Sequence, residues 1–153
     1  MTAFNVKNIV IPTDFSKISY TAFHYAKEIG YMYKAKLHLI HILDEVPPVF
    51  GNGLNGNSKE TISEEAEIIA REKLEQAKEE LGQSTGLEIS VELRKGVDHE
   101  EIIKYAKELN AELIVIATHG RSGVMQTLLG SVAQKVIKNA KCPVLVTTPE
   151  EKD

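Results

Sequence analysis

The chain has no tryptophan and only one cysteine, Cys142, among its 153 residues. One thiol cannot close an internal bridge and no C-x-x-C pair exists, so a disulfide framework is excluded and the composition is that of a reduced, cytoplasmic protein. Aromatic residues make up 6% of the chain, a poor supply for the stacking platforms that bind single-stranded nucleic acid. A basic excess is also missing, since 18 Lys plus Arg stand against 22 Asp plus Glu for a net charge of −4. That is the wrong sign for neutralising a phosphate backbone, and nucleic acid is not an expected partner. No apolar run approaches the ~20 residues that span a bilayer, and the first residues pass into a strand-like segment without a signal-peptide core. Neither membrane nor secretion is expected.

What the chain does have is 42% apolar residues, arranged in two alternating patterns. Five segments, 8–13, 36–42, 88–93, 112–118 and 143–147, are dense in β-branched and aliphatic residues at nearly every position, as strands covered on both faces are. Between them apolar residues recur at helical spacing: Ala22, Phe23, Ala26 and Ile29; Ala66, Ile69, Ala70, Leu74, Ala77 and Leu81; Ile102, Ile103, Ala106 and Leu109; Val132, Val136, Ile137 and Ala140. Thr61 with Glu64, and Asp98 with Glu101, have capping-box spacing, while Gly30 and Gly82 stand where helices should stop. Strict β-α alternation predicts one domain over residues 1–153, an open parallel sheet with helices on both faces and right-handed crossovers. No internal repeat interrupts it. Residues 47–58, rich in Pro, Gly and Asn, read as a long loop, and the acidic tail 149–153 as a frayed end.

Two segments carry chemistry. After the fourth strand, residues 117–132 cluster small side chains, with Arg121 the one cation among them. Glycine lets backbone N–H groups approach an anion, and a helix starting near Ser131 would aim its unpaired N–H groups and positive dipole end at it. Val124, Leu128, Leu129, Val132 and Val136 also fit one continuous helix in which Gly130 is only a packing glycine, and spacing leaves both readings open. The second segment, Pro12-Thr13-Asp14-Phe15-Ser16, ends the first strand; Asp14 suits a turn and Ser16 a helix cap. With strand order 3-2-1-4-5, the winding reverses between strands one and four, where ligands of open parallel sheets bind, and Asp14 would face the glycine-rich segment across that crevice.

Other candidates are weaker. Gly51, Gly53 and Gly56 spell G-x-G-x-x-G, but seven residues including two prolines (44–50) separate them from the strand, which excludes the dinucleotide turn. His38 and His41 point to opposite faces of one strand, so they share no metal and read as structural histidines. His24 and His99 lie near helix starts, in surface or capping roles. His119 falls in the crevice without a nucleophile and orienting acid around it, so no catalytic residue is assigned and no protein-held metal either. Cys142 packs at a strand entrance.

These residues resemble the universal stress protein family over nearly the whole chain. The likeness rests on K-N-I-V-I-P-T-D-F-S at 7–16, L-I-H-I-L-D at 39–44, G-V-D-H-E-E-I at 96–102, A-T-H-G-R-S-G-(x6)-G-S at 117–131 and the closing C-P-V-L-V. The nucleotide-binding branch of that family carries G-x2-G-x9-G-[ST], matched here by Gly120, Gly130 and Ser131, with Ala117 in place of the first glycine. The resemblance implies a Rossmann-like fold and an ATP site. In it Asp14 meets the ribose or adenine, Pro12, Thr13 and the Ile42 backbone lie near the base, and Ile116, Ala117, Thr118 and His119 line the floor. Gly120, Gly130, Ser131 and Val132 would meet the phosphates, with Arg121 beside them and Mg²⁺ held through the phosphates. It further implies a homodimer through 143–147 and a nucleotide-dependent sensor or adaptor in the stress response. The alternatives are a slow ATPase and an interaction protein that has lost its nucleotide.

Overall fold

A computed structural model describes residues 3–44, 56–118 and 129–149, with 56–63 as backbone only. Five strands and four helices alternate: β1 (Asn8–Pro12), α1 (Thr21–Tyr33), β2 (Lys36–Asp44), α2 (Gly56–Gly82), β3 (Ile89–Gly96), α3 (Asp98–Glu108), β4 (Leu113–Ala117), α4 (Ser131–Asn139) and β5 (Val144–Thr147). The strands form one sheet of order β3-β2-β1-β4-β5, parallel throughout. This is the expected α/β architecture and strand order.

The period of two along each strand divides the core into halves. Ile9, Ile11, Leu37, Leu39, Leu113 and Val115 face α1 and α2, packing on Phe23, Ala26, Leu74 and Leu81. Val10, Ile40, Ile114 and Ile116 point the other way, onto Ile102, Tyr105, Ala133 and Val136 of α3 and α4. The helices divide as right-handed crossovers require: winding from β1 to β3 covers one face, and crossing back to β4 reverses direction and covers the other.

Several local expectations move. Gly30 does not stop α1; the helix runs on to Tyr33 and ends at Lys34, whose φ is 56°. Gly30 is instead buried where an added Cβ would come within 3.0 Å of Leu37 and Leu87 side-chain carbons. Gly82 does end α2, but Thr61 lies inside that helix, which begins at Gly56, within the expected loop. Residues 45–55 and 150–153 lie outside the described residues. Asp98 is the first residue of α3 rather than its cap; the preceding Val97 is extended and gives no side-chain bond. Ser16 does not cap α1, whose N-cap is Tyr20; its Oγ accepts from Ser19 N within the preceding turn. Ile69 and Ile137, 52% and 45% exposed, drop out of the core.

One buried polar chain crosses the α3 face. His38, 3% exposed, bonds Asn8 Oδ1 through Nε2 at 2.9 Å and Ser90 Oγ through Nδ1 at 2.7 Å. Because a carbonyl oxygen only accepts, Nε2 donates and Nδ1 receives the Ser90 hydroxyl proton. That neutral tautomer agrees with the electrostatics: burial first, then Lys36, hold the imidazole below its ordinary value of 6.5, with Glu88 opposing. Stability from neutral His38 is thus fully present above about pH 6.5, the unfolded value, and is lost as pH falls toward the depressed folded value. Urea midpoints should decline as pH falls below about 6.5, and the decline should be shallower in His38→Gln.

Candidate functional site

The pairing of β1 with β2 ends at Pro12↔Ile40, with one further bond from Thr13 N to Ile40 O at 2.9 Å. β2 continues to Asp44 beside β3. Backbone groups along a strand alternate sides, and Lys36 N bonds Lys7 O on the β1 side. The N–H and C=O of Ile42 therefore face the place β1 has left. Across the gap β4 ends at Ala117, and α4 starts from Gly130. A cavity of about 520 Å³ opens between them, within the range of small-molecule sites.

Its lining gathers most of the residues singled out in the sequence. Pro12, Thr13 and Asp14 come from the end of β1, Ile42 from β2, Ile116 and Ala117 from β4. Gly130, Ser131 and Val132 form the wall at the start of α4. Thr118 follows β4 and is 2% exposed; its N–H bonds Thr147 O at 2.9 Å, and it does not line the cavity. His119, Gly120 and Arg121 lie outside the described residues.

Gly130 decides between the two readings left open for the last segment. It is extended, φ −60° and ψ 150°, and is the N-cap of α4, so no continuous helix passes through it. Gln134 N makes the first intrahelical bond, to Gly130 O at 3.0 Å. The N–H groups of Ser131, Val132 and Ala133 are thus orphan donors of the first turn, and that turn holds no acidic residue to offset its dipole. All three residues line the cavity.

The β1 side is a tight turn. Asp14 Oδ1 accepts from Ser16 N at 3.0 Å, and Thr13 Oγ1 accepts from Phe15 N at 3.0 Å, so the expected Asp14 turn is present. Asp14 also acts at a distance: the Tyr20 hydroxyl is pushed up by burial first, then by Glu80 and Asp14.

Three titratable lining residues were not assigned to the site from sequence: His41, Asp44 and Asp98. His38 and His41 do occupy opposite faces, but His41 borders the cavity as well as packing. Asp44 is reached because β2 extends two residues beyond its expected end, and register then sets it against Gly96, close before Asp98. The signal lay in L-I-H-I-L-D and G-V-D-H, whose acidic residues only the pairing brings to one rim. Gly96 has φ +145°, and a Cβ there would meet Glu101 Cγ at 3.1 Å. The charged lining residues described are all acidic, Asp14, Asp44 and Asp98. The cavity thus opposes one positive helix end to three carboxylates.

A doubly wound parallel sheet with its crevice at the strand-order reversal defines a class of α/β ligand-binding proteins. The model of the universal stress protein family matches residues 5–148, and the chain belongs to that family. It is 40% identical to universal stress protein MJ0531 of Methanocaldococcus jannaschii over 147 residues, 96% of this chain and 85% of that one. The solved structure of MJ0577 from the same organism is similar at 30% identity with a TM-score of 0.79, covering 97% of this chain and all of that one. A universal stress protein from Archaeoglobus fulgidus, solved in complex with dAMP, shares the fold with a TM-score of 0.63 at 22% identity, over 95% of this chain and 98% of that one.

Replacing Gly96 by Ala should cost about 1–3 kcal/mol in urea unfolding, because the left-handed backbone becomes strained and the start of α3 must shift.

Proposed function

We propose that the chain binds an adenine nucleotide, ATP with Mg²⁺, in the cavity at the strand reversal, and works as a nucleotide-dependent sensor or adaptor. One observation carries the reading: α4 starts at Gly130, so the orphan N–H groups of its first turn and the Ile42 main chain on the side β1 has left open onto the same cavity. Each half suits one part of the ligand. A helix N-terminus with a serine hydroxyl is a phosphate site, since the donors point outward and the dipole favours negative charge. The Ile42 N–H and C=O supply one donor and one acceptor, the pattern that an adenine edge complements. Asp14, which lines the same cavity, is the proposed acceptor for ribose hydroxyls. The A. fulgidus relative solved with dAMP supports the choice of adenine.

The carboxylates bear on the cation. Asp14, Asp44 and Asp98 repel phosphates; Mg²⁺ held through the phosphates supplies the charge that offsets this, and Arg121 would add to it. Ala117 adds one methyl on the cavity floor where the family pattern has glycine. Sensing is the reading that fits what the residues supply, donors and acceptors suited to holding a nucleotide.

Dimerisation through β5 completes the reading. β5 is the terminal strand of the sheet, so its outer edge presents unpaired backbone groups that a second copy can match.

Calorimetric titration with ATP and Mg²⁺ tests the proposal directly. Binding is expected, weakened by about tenfold or more in Asp14→Ala, the size of one hydrogen bond to a charged group. Gly130→Val should abolish it, by placing a branched side chain where the phosphates sit. No heat and no thermal upshift at high ATP would eliminate the nucleotide reading, while rapid turnover would replace the sensor with an ATPase. For the dimer, sedimentation should give a two-chain species that a proline at an outward-facing N–H of β5, Val146→Pro, returns to one chain, since Pro143 O and Thr147 O face β4 and the alternate residues face out; a monomer at every concentration overturns it.

A further inference from the structure

We propose that His41 is a positioning residue of this site: its ring holds the turn at 13–16, and through that turn the Asp14 carboxylate, in place for the ribose of the nucleotide. The role rests on the adenine-nucleotide reading for its ligand and on local geometry for its action. After Pro12 the chain turns sharply away from β2, and Phe15 sits at φ 68°, a left-handed conformation that a bulky aromatic residue adopts only when its surroundings impose it. His41 imposes it twice. Its Nδ1 lies 2.7 Å from Thr13 O, so Nδ1 carries the proton and donates, because a carbonyl only accepts. Its ring lies against Phe15, with centroids 4.2 Å apart and planes 33° from parallel. Lys73 Nζ stands 5.8 Å from the centroid of that same Phe15 ring.

The rest of the turn is tied to itself. Ser19 Oγ donates to Ser16 O at 2.7 Å, which leaves Thr13 Oγ1 to donate to Ser19 Oγ at 2.8 Å. Asp14 Oδ1 takes the Ser16 N–H at 3.0 Å. These bonds shape the turn, whereas His41 and the Thr13 N–H to Ile40 O bond anchor it to β2. His41 is 7% exposed and borders the cavity, so its position is fixed by the sheet.

The experiment compares ATP with 2′,3′-dideoxy-ATP, which lacks the ribose hydroxyls, on the whole chain with Mg²⁺. The wild type should prefer ATP by about tenfold, the size of one hydrogen bond to a charged acceptor. His41→Phe keeps a ring against Phe15 and removes the donor; it should lose that preference while binding the dideoxy compound within about twofold of wild type. His41→Asn, whose amide nitrogen can take the Nδ1 place, should retain it. On an Asp14→Ala background His41→Phe should have no further effect on the preference, the signature of two residues acting as one. A purely structural role would weaken both nucleotides alike, which overturns the proposal, as does an unchanged preference in His41→Phe.

A second readout needs no nucleotide. Exchange of the Ser16 amide hydrogen, bonded to Asp14, should quicken at least about tenfold in His41→Phe and stay slow in His41→Asn. If the wild type binds neither nucleotide, the functional reading fails and this measurement alone decides the positioning role. Should the phenylalanine variant not fold, the ring ¹⁵N spectrum of wild-type His41 decides: a proton on Nδ1 supports the anchor, and a bare Nδ1 ends it.

Discussion

The cavity exists because neighbouring strands leave the sheet in different directions. β1 and β4 lie side by side, but the chain runs from β1 toward β2 and β3 on one flank and from β4 to β5 on the other. Crossovers of one hand must then cover opposite faces, and nothing fills the space between the two departures. Backbone polarity does the rest. Parallel strands all present carboxyl ends on that side, the following helix presents N–H groups, and β2 overruns β1 by enough to leave Ile42 without a β1 partner. A polar, donor-rich crevice is therefore a consequence of topology before any side chain is considered.

Side chains then set its character. The positive α4 end faces three carboxylates, an arrangement that holds an anion poorly by itself and better when the anion carries a divalent cation. The turn bearing Asp14 is held in a conformation that its sequence would not favour in isolation, with Phe15 left-handed and stacked on His41. Elsewhere the protein handles buried polarity differently: His38 is satisfied on both nitrogens. Near the other end of β3, Arg94 is shared among Glu92, Glu101 and Glu108 and lies over the Tyr105 ring at 4.8 Å. Glu108 first, against burial, raises the Arg94 value, so this cluster stays charged and ties β3 to α3. Phe15 places backbone strain at the crevice, while paired polar groups tie the sheet together away from it.

Strand and helix identity was legible because both obey strong periods. Runs such as those around Ile9 and Ile114 are apolar at consecutive positions only if both faces are covered, and the helical stripes bury most of the residues they name, with Ala66, Ile69 and Ile137 left exposed. Boundaries were less legible. β2 and β3 outlast their apolar runs because pairing, rather than hydrophobicity, carries them to Asp44 and Gly96. Gly30 was misread as a stop because a glycine needed for close packing against Leu37 and Leu87 has the same letter as one needed for a turn. Asp98 looked like a cap because residue spacing cannot fix whether a helix begins at, or one before, its acidic residue.

The order of local elements, the two-faced burial and the family motifs were determined by the sequence itself, since periodicity and turn chemistry act over a few residues. Tertiary structure alone decided that Gly130 caps the start of a helix instead of lying inside one, and that His41, Asp44 and Asp98 share a rim with Asp14. Those facts depend on contacts between segments from 27 to over 100 residues apart in the chain, which no local pattern records, because strand register and crossover direction are fixed only when the whole sheet assembles.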